Sequence, residues 1–156
     1  IESVEHSRRR WNRLNIYFTE WDTLGVLAPT DVTIITGASS YEELYESNND
    51  MIASLADIGL LKEPVEDGFG VCNIVFVGDT EQELNLNALA VGFGLEAVEY
   101  EPEQFPGLVY RPPDYECTVL IFATGKMVIT GILDRETAQK AYEHVVERIS
   151  ELLGDI

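Results

Sequence analysis

Residues 121–131 read IFATGKMVITG, and near the start of the chain residues 29–37 read PTDVTIITG. Both stretches close on I-T-G. In the later one the β-branched and apolar runs Thr118–Phe122 and Lys126–Thr130 flank the turn Ala123-Thr124-Gly125, the pattern of a β-hairpin. The earlier copy keeps the closing strand but has Asp31 and Val32 where the later one has Gly125 and Lys126. A strand written twice in 156 residues points to a duplicated unit.

Sliding the chain along itself by 94 residues sets Ile1–Leu60 against Leu95–Gly154, and nine of the sixty pairs are identical. That identity is sparse, so the weight falls on the order of elements. Each copy has an aromatic near a turn (Trp11, Phe105), a strand, a hairpin, I-T-G and then a long amphipathic helix. The later helix is expected over about Arg135–Leu153 with Asp134 as its cap, burying Ala138, Ala141, Tyr142, Val145, Ile149 and Leu152. The earlier one is expected over about Tyr41–Ile58 after Ser40, burying Leu44, Met51, Ile52, Leu55 and Ile58. Between the copies, LKEPVEDGFG reads as a linker, VCNIVFV as a strand, and LNLNALAVGFG as a short helix starting near Leu84. The division expected is a first repeat over 1–61, a linker over 62–68 and a second repeat over 69–156. The first repeat has no counterpart of that strand and short helix, so about 26 residues are expected to be absent from its front.

Hydrophobic residues make up 46% of the chain and charged ones 24%, and no apolar run reaches the roughly 18 residues of a membrane span. No basic, apolar leader opens the chain, so the expectation is a soluble, cytoplasmic protein without a membrane partner. Cys72 and Cys117 stand singly in apolar runs and read as buried free thiols, with a disulfide or a metal as the alternatives. Charge is the outlier: 28 acids oppose 10 bases, a net of -18 spread along the whole chain. At about 1 M salt the Debye length falls to about 3 Å and such self-repulsion is screened, which suits a halophile. His6 and His144 are isolated, and no nucleophile has a base at useful spacing, so neither an enzyme nor a metal or cofactor site is expected.

In strands, alternate side chains share a face. Counting by two groups Leu120 with Phe122, Val128 with Thr130, and Asn73 with Val75. Helices cover one face of such a sheet, and on the other these residues make an apolar surface carrying an amide, the kind of surface that binds something.

FPGLVYR at 105–111, IFATGKMVITG at 121–131, CNIV at 72–75 and EYEPEQ at 99–104 together resemble the second repeat of the TATA-binding protein family, most nearly its acidic haloarchaeal members. The resemblance is dense from about Phe69 to Gly154; over Ile1–Leu60 it rests on RRRW, the I-T-G and the helix. It implies an α+β saddle of two pseudo-symmetric repeats, with a curved antiparallel sheet and helices on its convex face. It also implies a concave face seated on the widened minor groove of A/T-rich promoter DNA, where the floor is apolar and the readable pattern is little more than A·T against G·C.

On that resemblance Phe105 and Phe122 form the wedge that opens a base step, Asn73 is the amide near the dyad, and Thr130 is a second polar contact. Val75, Leu120 and Val128 pack on the groove, and Arg111 and Lys126 contact phosphates. The 94-residue shift carries these roles to Trp11, Val26, Ile34 and Thr36 in the first repeat, but finds Ala28 for Phe122, Tyr17 for Arg111 and Val32 for Lys126. The cluster Arg8, Arg9, Arg10 and Arg13 either makes up for the lost cations or merely solvates a loop. Glu101, Glu103 and Gln104 match the family's contact with transcription factor B, which places the protein, nucleoid-associated, in an RNA polymerase pre-initiation complex. The alternative is a paralogue with weakened DNA binding that regulates transcription through protein contacts. An exposed edge in the first repeat makes a homodimer a further expectation.

Overall fold

The computed structural model of the chain describes residues 3–7, 13–28, 32–61 and 68–154, the first of these by backbone alone. Trp11, Arg8, Arg9 and Arg10 lie outside the described residues, as does linker segment 62–67. The chain divides into two compact units, Ile1–Gly68 and Phe69–Ile156.

In the first unit β1 (Ser3–Ser7), β2 (Arg13–Phe18), β3 (Thr23–Leu27) and β4 (Thr33–Thr36) form an antiparallel meander in sequential order, followed by α1 (Tyr41–Asp57). The second unit opens with β5 (Ile74–Asp79) and α2 (Leu86–Phe93). It continues through β6 (Val98–Glu99), β7 (Leu108–Tyr110), β8 (Thr118–Ile121) and β9 (Lys126–Ile132), and ends with α3 (Arg135–Leu153). Its sheet is ordered β5-β9-β8-β7-β6 and is antiparallel throughout. The architecture is α+β.

The two ladders share one register. Val119 faces Ile129, Leu120 faces Val128 and Tyr110 faces Val119. Subtracting 94 turns these pairs into Gly25–Ile35, Val26–Ile34 and Ile16–Gly25, all of which are present in the first unit. The shared glycine of I-T-G has a conformational reason in both. Gly37 (φ +98°) and Gly131 (φ +90°) occupy the left-handed region that side chains disfavour, and a Cβ on Gly37 would lie 2.9 Å from the Asp22 carbonyl oxygen.

The helices form where periodicity and caps coincide. Ser40 Oγ accepts from the Glu43 amide at 3.1 Å, while Glu43 Oε2 accepts from the Ser39 amide and hydroxyl at 2.8 and 2.6 Å. Asp134 Oδ1 accepts from the Thr137 amide at 2.8 Å. Through α3 the residues Ala138, Ala141, Val145 and Ile149 are buried against the inward side chains of the sheet, Val119, Ile121, Met127 and Ile129. The first unit closes a smaller core around Ile16, Phe18, Met51 and Leu55. Its helix–sheet contact is partly polar, with Thr23 and Ser47 hydroxyls 2.7 Å apart and Ser47 donating to the Glu43 carbonyl. The Trp21 indole N–H reaches Asp50 on α1 at 3.0 Å.

Two expectations are corrected. Ile58 is exposed rather than buried, because α1 ends at Asp57 and the 3.6-residue period stops applying at the cap. Cys72 is exposed too: the ladder begins only at Ile74, so the apolar run ahead of it is not strand. Cys117 is a buried free thiol, and burial pushes its pKa up. The short helix starts at Leu86, capped by the Asn85 side chain. No described helix is long and apolar enough to cross a membrane.

Candidate nucleic-acid interface

In the second unit α2 and α3 pack against the same side of the sheet, where Leu108, Tyr110, Val119, Ile121, Met127 and Ile129 are buried. The alternate residues therefore line the opposite face. Leu120 pairs with Val128, as counting by two predicts, and the register extends that pair on both sides, to Val109 on β7 and Val77 on β5. Four aliphatic side chains thus form one row across four strands. Val75 and Val77 are 59% and 66% exposed, an unusual cost for a strand with no further cover. Val77 and Val109 are missing from the sequence-based site, although each sits two residues along from a named position or its cross-strand partner.

Asn73 stands at the end of this face. Its Oδ1 accepts from the Gly131 amide at 2.8 Å and from the Thr130 hydroxyl at 3.1 Å. A backbone N–H can only donate, so the oxygen is fixed toward the protein and the amide nitrogen is left to donate outward. The geometry is made by a bulge: Ile74 faces Ile132 but Phe76 faces Ile129, so β9 carries an extra residue beside Gly131.

At the other end, Phe105 and Phe122 meet edge to face with centroids 5.9 Å apart. Gly107 makes room for them, since a Cβ there would lie 2.7 Å from Phe105 and 3.0 Å from Phe122. The hairpin carrying Phe122 is braced from the start of the α2 segment. Gly125 (φ +90°) receives the Thr80 amide on its carbonyl at 3.1 Å, and Leu84 N–H donates to the Ala123 carbonyl at 2.9 Å.

Charge on the strands of this face is sparse and balanced. Arg111 Nη1 pairs with Glu99 at 2.8 Å at one edge, and Lys126 is the cross-strand partner of Asp79 at the other. The Arg111 pair is half-exposed and weak, so the guanidinium can exchange its carboxylate for a phosphate at little cost. The face is nearly neutral in a chain of net charge -18. Beside it, Glu101, Glu103 and Gln104 are exposed, and the Glu101 carbonyl receives the amides of Gln104 and Phe105, so this loop also seats the Phe105 ring. The Gln104 and Glu101 side chains are hydrogen-bonded to each other.

The first unit presents the equivalent face with different contents. Val26 pairs with Ile34 and Leu24 with Thr36, and Ile34 is 49% exposed. The Ala28 amide donates to the Val32 carbonyl, matching the Phe122-to-Lys126 bond, but the pair bears no ring and no cation. Tyr17, opposite Leu24, stands where the second unit has Arg111. Asn15 takes the place of Val109 and is only 7% exposed, its Oδ1 without a partner among the described residues. Of the sites expected here, Val26, Ile34 and Thr36 share the face, and Trp11 lies outside the described residues. Among the described residues no group of three or more His, Cys, Asp or Glu is placed to hold a metal.

Residues 68–152 match the sequence model of the family described as transcription factor TFIID, or TATA-binding protein. The chain is 51% identical over 120 residues to TATA-box-binding protein C of Halobacterium salinarum, covering 77% of this chain and 66% of that protein. It is 46% identical over 121 residues to TATA-box-binding protein 2 of Haloferax volcanii, covering 76% and 63%. The chain thus spans a little under two thirds of the length of these curated relatives. The solved structure of Methanococcus jannaschii TBP superposes with a TM-score of 0.78 at 34% identity, over 97% of this chain and 85% of that one. The two curated relatives come from halophilic archaea and are named as TATA-box-binding proteins, not as enzymes.

Proposed function

This chain belongs to the TATA-binding protein family, and from that premise we propose that its uncovered sheet face binds the minor groove of A/T-rich promoter DNA. One observation carries the reading: a nearly neutral aliphatic row, ending in an outward-donating amide, on a protein that is otherwise strongly acidic. Apolar side chains suit the sugar-lined floor, and outward N–H donors suit the acceptors that A·T and T·A pairs both present there. Val75, Val77, Val109, Leu120 and Val128 pack on the floor, and in the first unit Val26, Ile34 and Thr36 have the same role. Asn73 reads acceptors with Thr130 beside it. Phe105 and Phe122 wedge a base step, and Arg111 and Lys126 take phosphates. Glu101, Glu103 and Gln104 recruit transcription factor B and, through it, RNA polymerase at the nucleoid.

A second reading is favoured by Ala28, Tyr17 and Val32. With alanine in place of one wedge ring and neutral residues in place of two cations, the protein binds DNA weakly and regulates transcription as a protein-binding paralogue. Residues 1–61 then act as a divergent repeat, joined by 62–68 to an intact one over 69–156.

Equilibrium binding to a fluorescent TATA duplex and a scrambled one, with and without transcription factor B, from about 0.2 to about 3 M KCl, separates the two. On the first reading specific binding holds or strengthens as salt screens the acidic coat, and is lost in Phe105→Ala. No specific binding by the folded protein, even with the factor present, rejects that reading in favour of the second.

A further inference from the structure

One side chain on the uncovered face of the first unit is an amide where the second unit is aliphatic. Register sets Asn15 beside Val26, which faces Ile34, and the same row in the second unit is Val109, Leu120 and Val128. Ile16 and Phe18 join the core with Met51 and Leu55 of α1, so alternation puts Asn15 on the other side of β2. Asn15 is only 7% exposed, and its Oδ1 is shut away from water with no hydrogen-bond partner among the described residues. The asparagines of the two units therefore differ in kind. Asn73 is pinned, because the Gly131 N–H fixes its oxygen inward and leaves N–H alone to point outward. Asn15 has no such bond, and an amide oxygen kept from water without a donor costs free energy until one is supplied. Turning that amide about its Cβ–Cγ bond breaks nothing at the oxygen, so the side chain can offer either a donor or an acceptor to a ligand on the face.

Resting on the minor-groove reading above, we propose that Asn15 lets the first unit accept a G·C pair at one position of an otherwise A/T-rich site. In the minor groove A·T and T·A pairs show acceptors alone, and the guanine N2 amino group is the one donor that a G·C pair adds. Against an aliphatic side chain such as Val109 that amino group is buried without a partner, and the pair is rejected. Against Asn15 it donates to Oδ1. On an A·T pair the same amide turns over and donates from Nδ2. Specificity is thus relaxed at one position that the first unit covers, while Asn73 and the aliphatic row keep the rest of the site A/T-selective.

The test is anisotropy competition with the full chain, on the TATA duplex and on duplexes carrying a single G·C pair at each position in turn. The expected result is one position where G·C weakens binding of the unaltered protein less than about threefold, but that of Asn15→Val by roughly tenfold or more. An inosine·cytosine pair at that position lacks the N2 amino group and should bind both proteins as A·T does. Val is close to Asn in volume and stands at the equivalent place on β7, and thermal melting checks that the variant folds. Val109→Asn leaves Asn15 in place and should create a second tolerant position; if Asn15→Val does not fold, the lack of that second position overturns the proposal. TATA binding with G·C rejected at every position would overturn it too, while leaving the proposed function standing. Tolerance unchanged in Asn15→Val would overturn it by assigning the tolerance to the shape of the DNA. No TATA-specific binding by the folded protein would remove the minor-groove reading itself, and the role of Asn15 with it.

Discussion

The two units share a hydrogen-bond register residue for residue, yet their contents differ at nearly every buried contact. Where the second unit packs Val119 against a sheet covered by Val145, the first has Gly25 under Met51, whose sulfur would lie 3.0 Å from a Cβ on the glycine. Volume moved from the sheet to the helix. Where the second has Cys117 and Ala141, the first has the Thr23–Ser47 hydroxyl pair. The ladder survived because its bonds are made by backbone, and any side chains that keep alternation and fill the layer are compatible with it. A site has no such latitude. Replacing Phe122 by its counterpart Ala28 leaves the hairpin bond in place and deletes the chemistry.

Core truncation gives the largest expected effect on this contrast. Ile129→Ala, at a fully buried position, should destabilise the second unit by about 2–5 kcal/mol. Ile35→Ala, at the half-buried equivalent, should cost roughly half as much. Denaturant unfolding of both variants measures the difference, and equal losses would mean that the first unit's core is as well covered as the second's.

Next comes the wedge. Phe122→Ala should weaken specific DNA binding by about 1.5–3 kcal/mol, the value of one buried ring, while Ala28→Phe with Val32→Lys should strengthen it by less. Anisotropy titrations of the three proteins, unaltered, single and double variant, test whether the divergence is confined to those positions. A gain in the double variant matching the loss in Phe122→Ala would make the units interchangeable.

Smaller still, Ser40→Ala should cost the first unit about 1 kcal/mol through the lost cap of α1 and leave α3 unchanged by hydrogen exchange. The smallest effect is on acid response. Hydrogen bonds from the Ser39 side chain and backbone hold Glu43 below the ordinary carboxylate range, and those from Thr137 do the same for Asp134. Depressed carboxylates stabilise fully above their unfolded pKa and lose that contribution as pH falls through the folded value. Exchange at the two helix starts should therefore rise below about pH 4, and Asp134→Asn should flatten the rise at α3 alone. Loss of both responses in that single variant would show that the caps are not independent.

Much of this contrast is legible in the residues themselves. Period three-and-four spacing after Ser40 and Asp134 places α1 and α3, and period two groups Leu120, Phe122, Val128 and Thr130 on one face. What escapes is set by three-dimensional closure. Ile58 continues a helical period past the residue at which the helix stops. Cys72 belongs to an apolar run that lies ahead of the ladder. Val77 and Val109 join the site through cross-strand register, opposite Val128 and Leu120. Asn15, polar at a position aliphatic in the other copy, carries no local signal of its burial.

Both tryptophans, Trp11 and Trp21, belong to the first unit, and the second has none. The Trp21 indole, pinned to Asp50, gives the divergent half its own optical voice. Emission excited beyond tyrosine absorption reports that unit's melting alone, while tyrosine ellipticity follows both. Without labels, the same light separates two denaturation curves in one cuvette. It also shows, during a DNA titration, whether the half with Ala28, Tyr17 and Val32 in place of a ring and two cations still responds.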